Sequence, residues 1–269
     1  MGLLARIQHG IRHPDRIYPY VRRLTRDAKL RFLHRNHVSY YRAVMAHDSA
    51  DDPNAAVGSA NHRRWLKLGK MQFDYLVEHG LTPQDRMLEI GCGNLRAGWR
   101  FISYLEKGHY YGIDISPDIL LSAQRTLRDY ELQNKLANVT LVNDLKMGSL
   151  PRGYFTVINA HSVFSHCPLD VIEECFANVS DVLAPGGFFD FTFNRATGRE
   201  HHVLREDYYY RTETLLDLAA KYSLRGRFME DWEELPHKQS KIRLVRESDT
   251  GREPDEGTAR RHDLSEASH

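Results

Sequence analysis

The residues best equipped for chemistry begin with an acid and two glycines, Glu89-x-Gly91-x-Gly93, at the end of the apolar run Met87–Ile90. Glycine is demanded where φ is positive or where a ligand must come close to the backbone. Cys92 between them reads as a small filler. Arg96 follows, where its guanidinium can grip a carboxylate in a planar fork or stand at the surface. A second acid, Asp114, closes the next apolar run 25 residues after Glu89, with Ile115 beside it. A carboxylate there can accept from two ribose hydroxyls. Asp144 and Leu145 close a third run and suit an adenine amino group and ring. Asn159 closes a fourth, followed by His161 and His166. Histidine is the side chain suited to take a proton at neutral pH.

Each histidine has a plainer reading. His166 can cap a helix starting near Pro168, and His161 can hydrogen-bond in the core. His161, His166 and Cys167 have no recognised metal-ligand spacing, so no metal is expected. A dinucleotide would ask for GxGxxG, whose last glycine lets a helix N-terminus hold a pyrophosphate. Arg96 occupies that last place and the next glycine is Gly98, so the dinucleotide match is poor.

These residues need strands that end together. The pattern predicts a helix over 61–79, with Trp65, Leu68, Gln72, Tyr75 and Leu76 on its apolar face and Gly80 as its stop. Gln72 on that helix can close over a ligand or pack on the domain. Strands are predicted at 86–90, 110–115, 139–144, 154–160 and 188–193, and final strands at 227–232 and 240–246. Helices lie between them: one after the glycines, one from Ser116-Pro117 to about Leu136, one over 169–183 and one over 212–222. Ala184-Pro185-Gly186-Gly187 reads as a turn and 194–207 as a polar loop. Alternation of this kind argues for an α/β fold, a parallel sheet with helices on both faces. In such a sheet, ligands sit at the carboxyl ends of the strands.

The chain of 269 residues suffices for one such domain with extensions. Residues 61–247 would form the domain. Residues 1–60 would be a basic helical extension, broken near His13-Pro14 and Tyr18-Pro19, with 47–59 as a linker or mobile loop. Residues 248–269, poor in apolar side chains, would be a disordered tail. A net charge of +1 does not imply a bulk polyanion partner for the chain as a whole. The charge is uneven, however: residues 1–47 hold ten Lys/Arg against Asp15 and Asp27. A solvated arm, or a segment resting on the inner membrane surface, are the readings of that charge; nucleic acid lacks an accompanying motif. Three cysteines without CxxC spacing suit a reducing compartment. No apolar run approaches a membrane span, and Arg6 interrupts any secretory core, so the expected location is the cytoplasm.

On Glu89-x-Gly91-x-Gly93, Asp114 and Ala184–Gly187, the chain resembles the class I S-adenosylmethionine-dependent methyltransferases over roughly 61–246. The segments 72–81, 90–105 and 161–166 resemble a bacterial branch acting on small molecules, often saccharides or glycolipids. The departure is Leu95, where many members keep a further glycine. The resemblance implies a Rossmann-like sheet of seven strands, the last antiparallel, and S-adenosylmethionine as cofactor. It also implies transfer of a methyl group to an acceptor oxygen or nitrogen. A hydroxyl acceptor calls for a general base, with His166 the first candidate and His161 the second. Two rivals stand beside this reading. A nicotinamide-dependent oxidoreductase would bind NAD(P) in place of S-adenosylmethionine. A non-catalytic binding module would hold the cofactor without turnover.

Overall fold

The computed structural model describes residues 14–249 apart from Asp52 and Ala60. The predicted tail beyond Asp249 and the N-terminal residues before Pro14 lie outside the described residues.

The described residues begin with three helices: α1 (Pro14–Leu33), α2 (His37–Asp51) and the short α3 (Pro53–Ala56). Two expectations change here. Helix α1 runs straight through Pro19, and the stretch 47–59 is mostly helical rather than a linker. Helix α4 (His62–Glu78) is capped by Asn61, whose side chain accepts from the Arg64 N–H. It buries the expected Trp65, Leu68, Gln72, Tyr75 and Leu76, along with Gly69.

The sheet then alternates with helices: β1 (Met87–Ile90), α5 (Gly98–Tyr104), β2 (Tyr110–Asp114), α6 (Pro117–Asp129), β3 (Asn138–Leu141), β4 (Phe155–Ala160), α7 (Leu169–Val182) and β5 (Leu183–Arg195). After these come β6 (His201–Val203), β7 (Asp207–Tyr210), α8 (Thr212–Ala220), β8 (Leu224–Phe228) and β9 (Ser240–Arg246). Seven strands form the main sheet in the order β3-β2-β1-β4-β5-β9-β8, parallel from β3 to β5, with β9 antiparallel to its neighbours. Among the described residues the total is nine rather than seven. Residues 194–207, expected as a polar loop, contain β6 and lead into β7; this hairpin attaches β7 to the far end of β5 through Asn194↔Tyr209 and Arg195↔Tyr210.

Other boundaries shift for local reasons. Ala184–Gly187 is an irregularity within β5, where the pairing jumps from Phe155↔Leu183 to Val157↔Phe188. Gly186 adopts φ +73° there, and a Cβ at Gly187 would come 2.7 Å from the Thr156 carbonyl. Helix α6 opens as expected, with Ser116 accepting from Ile119 N–H and Pro117 first in the helix, but it stops at Asp129. Trp232, expected in a strand, sits in a 3-10 turn. Strand β3 ends at Leu141, three residues before Asp144.

The central strand β1 is buried at every position, the mark of a strand covered on both faces. One apolar layer, including Ile90, Phe164, Phe176, Phe189, Phe191 and Leu215, fills the side under α7 and α8. The other, including Leu76, Met87, Leu95, Phe101 and Tyr110, fills the side under α4, α5 and α6.

Candidate active site

The site begins at the turn from β1. Gly91 and Gly93 adopt φ +68° and +58°, where a side chain is strained. A Cβ on Gly91 would also come 2.4 Å from Val163 Cγ2. Leu95 has the same handedness, φ +62°, and is fully buried. The departure from glycine therefore keeps the backbone shape and adds an apolar anchor. Cys92 is buried and packs against Gly112, where a Cβ would approach its sulfur to 2.9 Å.

Gly98 has a different use from phosphate binding. A Cβ there would lie 2.7 Å from the Tyr110 hydroxyl and 3.0 Å from Glu89 Oε2. The space is taken by a buried pair in which the Tyr110 hydroxyl donates to Glu89. Burial lifts the Glu89 carboxyl to about 7, against the pull of Tyr110 and Arg96. Burial also lowers Arg96 to about 10; its Nη1 donates to the Val57 carbonyl, and its Nε is buried without a partner. Arg96 is thus no ordinary surface residue.

Asp114 is arranged as an acceptor. Its Oδ2 takes the Gly93 N–H at 2.9 Å and its Oδ1 takes the Ser116 N–H at 2.9 Å. Each oxygen keeps a second lone pair, so the carboxylate can still accept from two hydroxyls. Burial raises its pKa, partly offset by these N–H donors. Asp144 accepts from Lys146 N–H at 3.1 Å, and the Leu145 N–H donates to Glu174 Oε1 at 2.7 Å.

One cavity of about 770 Å³ is lined by Gln72, Glu89, Gly91, Cys92, Gly93, Arg96, Asp114, Ile115, Asp144, Leu145, His161 and His166. Asn159 does not line it. It stands in register with Glu89 and Asp190 across β1, β4 and β5, buried, with its Nδ2 unpartnered. Five buried polar atoms of lining residues lack partners: Arg26 Nε, His37 Nδ1, Gln72 Nε2, Arg96 Nε and His161 Nε2. Buried polar groups are nearly always paired, so such a cluster beside the glycine turn calls for a polar ligand. S-adenosylmethionine fits these residues. Asp114 would accept from its ribose diol, the Ile115–Leu145 rim would face its adenine, and the unpartnered polar groups would meet its methionine end.

The two histidines differ. His161 is buried against Trp232 and His237, with ring centroids 5.7 and 4.7 Å away. Burial, then His237, Arg96 and Lys241, hold its pKa well below the imidazole norm, so it is neutral. His166 is partly exposed and does not cap α7, whose N-cap residue is Pro168 and whose first turn is bonded by Asp170, not by His166. Its Nδ1 lies 2.6 Å from the Glu206 carbonyl and 3.5 Å from Asp207 Oδ1, and its ring stacks on Tyr41 at 5.4 Å. A carbonyl only accepts, so Nδ1 carries the proton and Nε2 the lone pair when the ring is neutral.

Several residues escaped the sequence reading. Arg42 of α2 donates to the Ile115 carbonyl at 2.7 Å, the Val142 carbonyl at 3.2 Å and Asn143 Oδ1 at 2.8 Å, tying the loops after β2 and β3. Asn94 accepts from Trp65 Nε1 at 2.9 Å and donates to Asn54 Oδ1 at 2.9 Å, joining the glycine turn to α4 and α3. Glu206 accepts from Arg23 Nη2 at 2.6 Å and Arg26 Nη2 at 2.7 Å, clasping α1 to the β6–β7 hairpin. Only Asn94, polar inside an otherwise apolar turn, carried a signal. Among the described residues, no three His, Cys, Asp or Glu side chains are grouped to hold a metal ion.

Comparison with known proteins agrees with this geometry. Residues 88–189 match the family profile of a methyltransferase domain. An uncharacterized methyltransferase of Schizosaccharomyces pombe is 27% identical over 123 residues, 42% of this chain and 41% of that protein. The chain thus spans less than half the length of that curated relative. Among solved structures, magnesium protoporphyrin IX methyltransferase from Synechocystis with bound S-adenosylhomocysteine superposes with a TM-score of 0.58 at 14% identity, covering 78% of this chain and 100% of that one. A Leishmania major S-adenosylmethionine-dependent methyltransferase gives 0.58 at 15% identity, covering 77% and 80%. The fold is the Rossmann-like methyltransferase fold. Sequence match and site together support a class I S-adenosylmethionine-dependent methyltransferase, with S-adenosylmethionine as cofactor.

Proposed function

We propose that this chain transfers the methyl group of S-adenosylmethionine to an oxygen of a small-molecule acceptor, with His166 as general base. The observation that carries the base is the 2.6 Å bond from His166 Nδ1 to the Glu206 carbonyl. It favours the tautomer that leaves a lone pair on Nε2 of a residue that lines the same cavity as the glycine turn. Asp114 and the turn hold the cofactor, whose sulfonium supplies an electrophilic methyl. The chain's own part is to align the acceptor and remove its proton. The acceptor oxygen forms the new bond to carbon as the carbon–sulfur bond breaks, and its hydrogen passes to His166 Nε2. Alignment of donor and acceptor in the cavity supplies much of the acceleration.

His161 is the second candidate. Its buried, neutral ring with an unpartnered Nε2 suits hydrogen bonding to the acceptor or the methionine end. A small-molecule acceptor is supported by a cavity of about 770 Å³ and by the porphyrin named for the Synechocystis enzyme. Saccharides and glycolipids belong to this class.

The test follows methyl-labelled S-adenosylmethionine into the small-molecule fraction of a cell extract, alongside titration with S-adenosylhomocysteine. His166→Ala is expected to lose transfer by about a hundredfold or more while cofactor affinity stays the same. Unchanged transfer by His166→Ala, with loss in His161→Ala, would move the base to His161. Label appearing only in protein or nucleic acid would overturn the small-molecule acceptor.

A further inference from the structure

Helix α1 is amphipathic in the wrong sense for a helix packed on its own domain. Its inward side is charged: Arg23 and Arg26 reach Glu206, Arg26 reaches Asp48 at 2.5 Å, and the buried Asp27 accepts from Tyr40 at 2.5 Å. Its outward side is apolar. Val21, Leu24 and Phe32 are 47%, 39% and 89% exposed, and the adjoining Leu33 is 58% exposed. Positions 21, 24, 28 and 32 follow the i, i+3, i+7, i+11 repeat that puts side chains on one helical face. Lys29 and Arg31 flank that stripe, one on each side, and Arg35 follows just past its end. Arg31 lies 3.7 Å from Asp27, and Asp27 is the only acid from Val21 to Asn36.

We infer that this face of α1 rests on an anionic lipid surface. Apolar side chains flanked by cations on both edges match the boundary between acyl chains and phosphate headgroups. Charge decides against a second copy of the chain as the occupant. Two such faces meeting would set Lys29 and Arg31 against like charges, with only the buried Asp27 of each copy as a nearby acid. No helix among the described residues is long and apolar enough to cross a membrane, so the contact is peripheral. The inward arginines also explain why only part of the basic character of residues 1–47 is offered outward: Arg23, Arg26 and Arg42 are engaged within the fold.

The experiment is sedimentation of the full chain with vesicles of phosphatidylcholine alone or mixed with phosphatidylglycerol, at low and high salt. Light scattering of the free protein runs in parallel. Binding is expected only with phosphatidylglycerol and should weaken with salt. Lys29→Gln and Arg31→Gln should each lower it by about fivefold. The double variant Leu24→Ser with Phe32→Ser should lower it further, while S-adenosylhomocysteine affinity stays unchanged as a check on folding. Equal binding to both vesicle types, or full binding by the serine double variant, overturns the inference. So does a dimer in light scattering that the serine variant abolishes, which would assign the face to a second copy.

Discussion

The two halves of the cavity are built in different ways. The cofactor half is local: Glu89, Gly91, Gly93 and Asp114 lie within one β-α-β unit, and backbone shape does most of the holding. The half around His166 is assembled from distant parts of the chain. Glu206 meets Arg23 across 183 residues, and Tyr41 stacks on His166 from helix α2. One half is specified by sterics at glycines, the other by charge pairs between elements that carry no motif. A ribose and an adenine are fixed in shape, so a local turn can serve them. An acceptor is particular to each enzyme, and the elements that enclose it vary accordingly.

The largest expected effect breaks the steric half. A Cβ on Gly69 would come 2.0 Å from the Arg96 carbonyl, because α4 lies directly on the glycine turn. Gly69→Ala should lower unfolding stability by about 1–3 kcal/mol and weaken S-adenosylhomocysteine binding. Gly148→Ala, with nothing within 4 Å of the new carbon, serves as the control. Denaturant melts of both variants check this; equal midpoints would mean that close packing does not set the turn.

A smaller effect tests whether the halves are separable. Glu206→Gln keeps shape but removes the charge that clasps Arg23 and Arg26. Turnover should fall by about tenfold, with cofactor affinity within about twofold, on the scale of a lost charged hydrogen bond. Equal losses in both would show a single cooperative site.

A further effect is a pH slope of opposite sign at two buried groups of the cavity lining. Glu89 is raised by burial from 4.5 to about 7, so the folded state holds its proton more tightly. Stability from this group is present below about 4.5 and lost as pH rises through about 7. His237, lowered by burial to about 4, works the other way, losing stability as pH falls below the ordinary value of 6.5. Thermal melts between about pH 5 and pH 8 should show Glu89→Gln removing a falling slope and His237→Asn a rising one. Slopes of the same sign would contradict the burial assigned to one of them.

The same contrast explains what could be read from sequence. Alternating apolar runs and turn residues pointed to the layers and the parallel strands, because strand period and glycine sterics are local signals. The added hairpin went unread: His201–Val203 is exposed and polar, and its pairing depends on the far end of β5. Arg42 looked like one more charge in a basic run, although it ties two ligand loops. The 47–59 stretch looked like a linker because its polar side chains face partners far along the chain, as Asn54 faces Asn94. Asp144 was placed at a strand end, but β3 stops short of it.

The most direct test of the account is calorimetric titration of S-adenosylhomocysteine and NAD(H) into the wild type, Asp114→Ala and His166→Ala. The account predicts that the wild type and His166→Ala bind S-adenosylhomocysteine equally. Asp114→Ala should bind it about a hundredfold more weakly, from the loss of hydrogen bonds to a charged acceptor, and none should bind NAD(H). Tight NAD(H) binding, or S-adenosylhomocysteine affinity indifferent to Asp114, would contradict it.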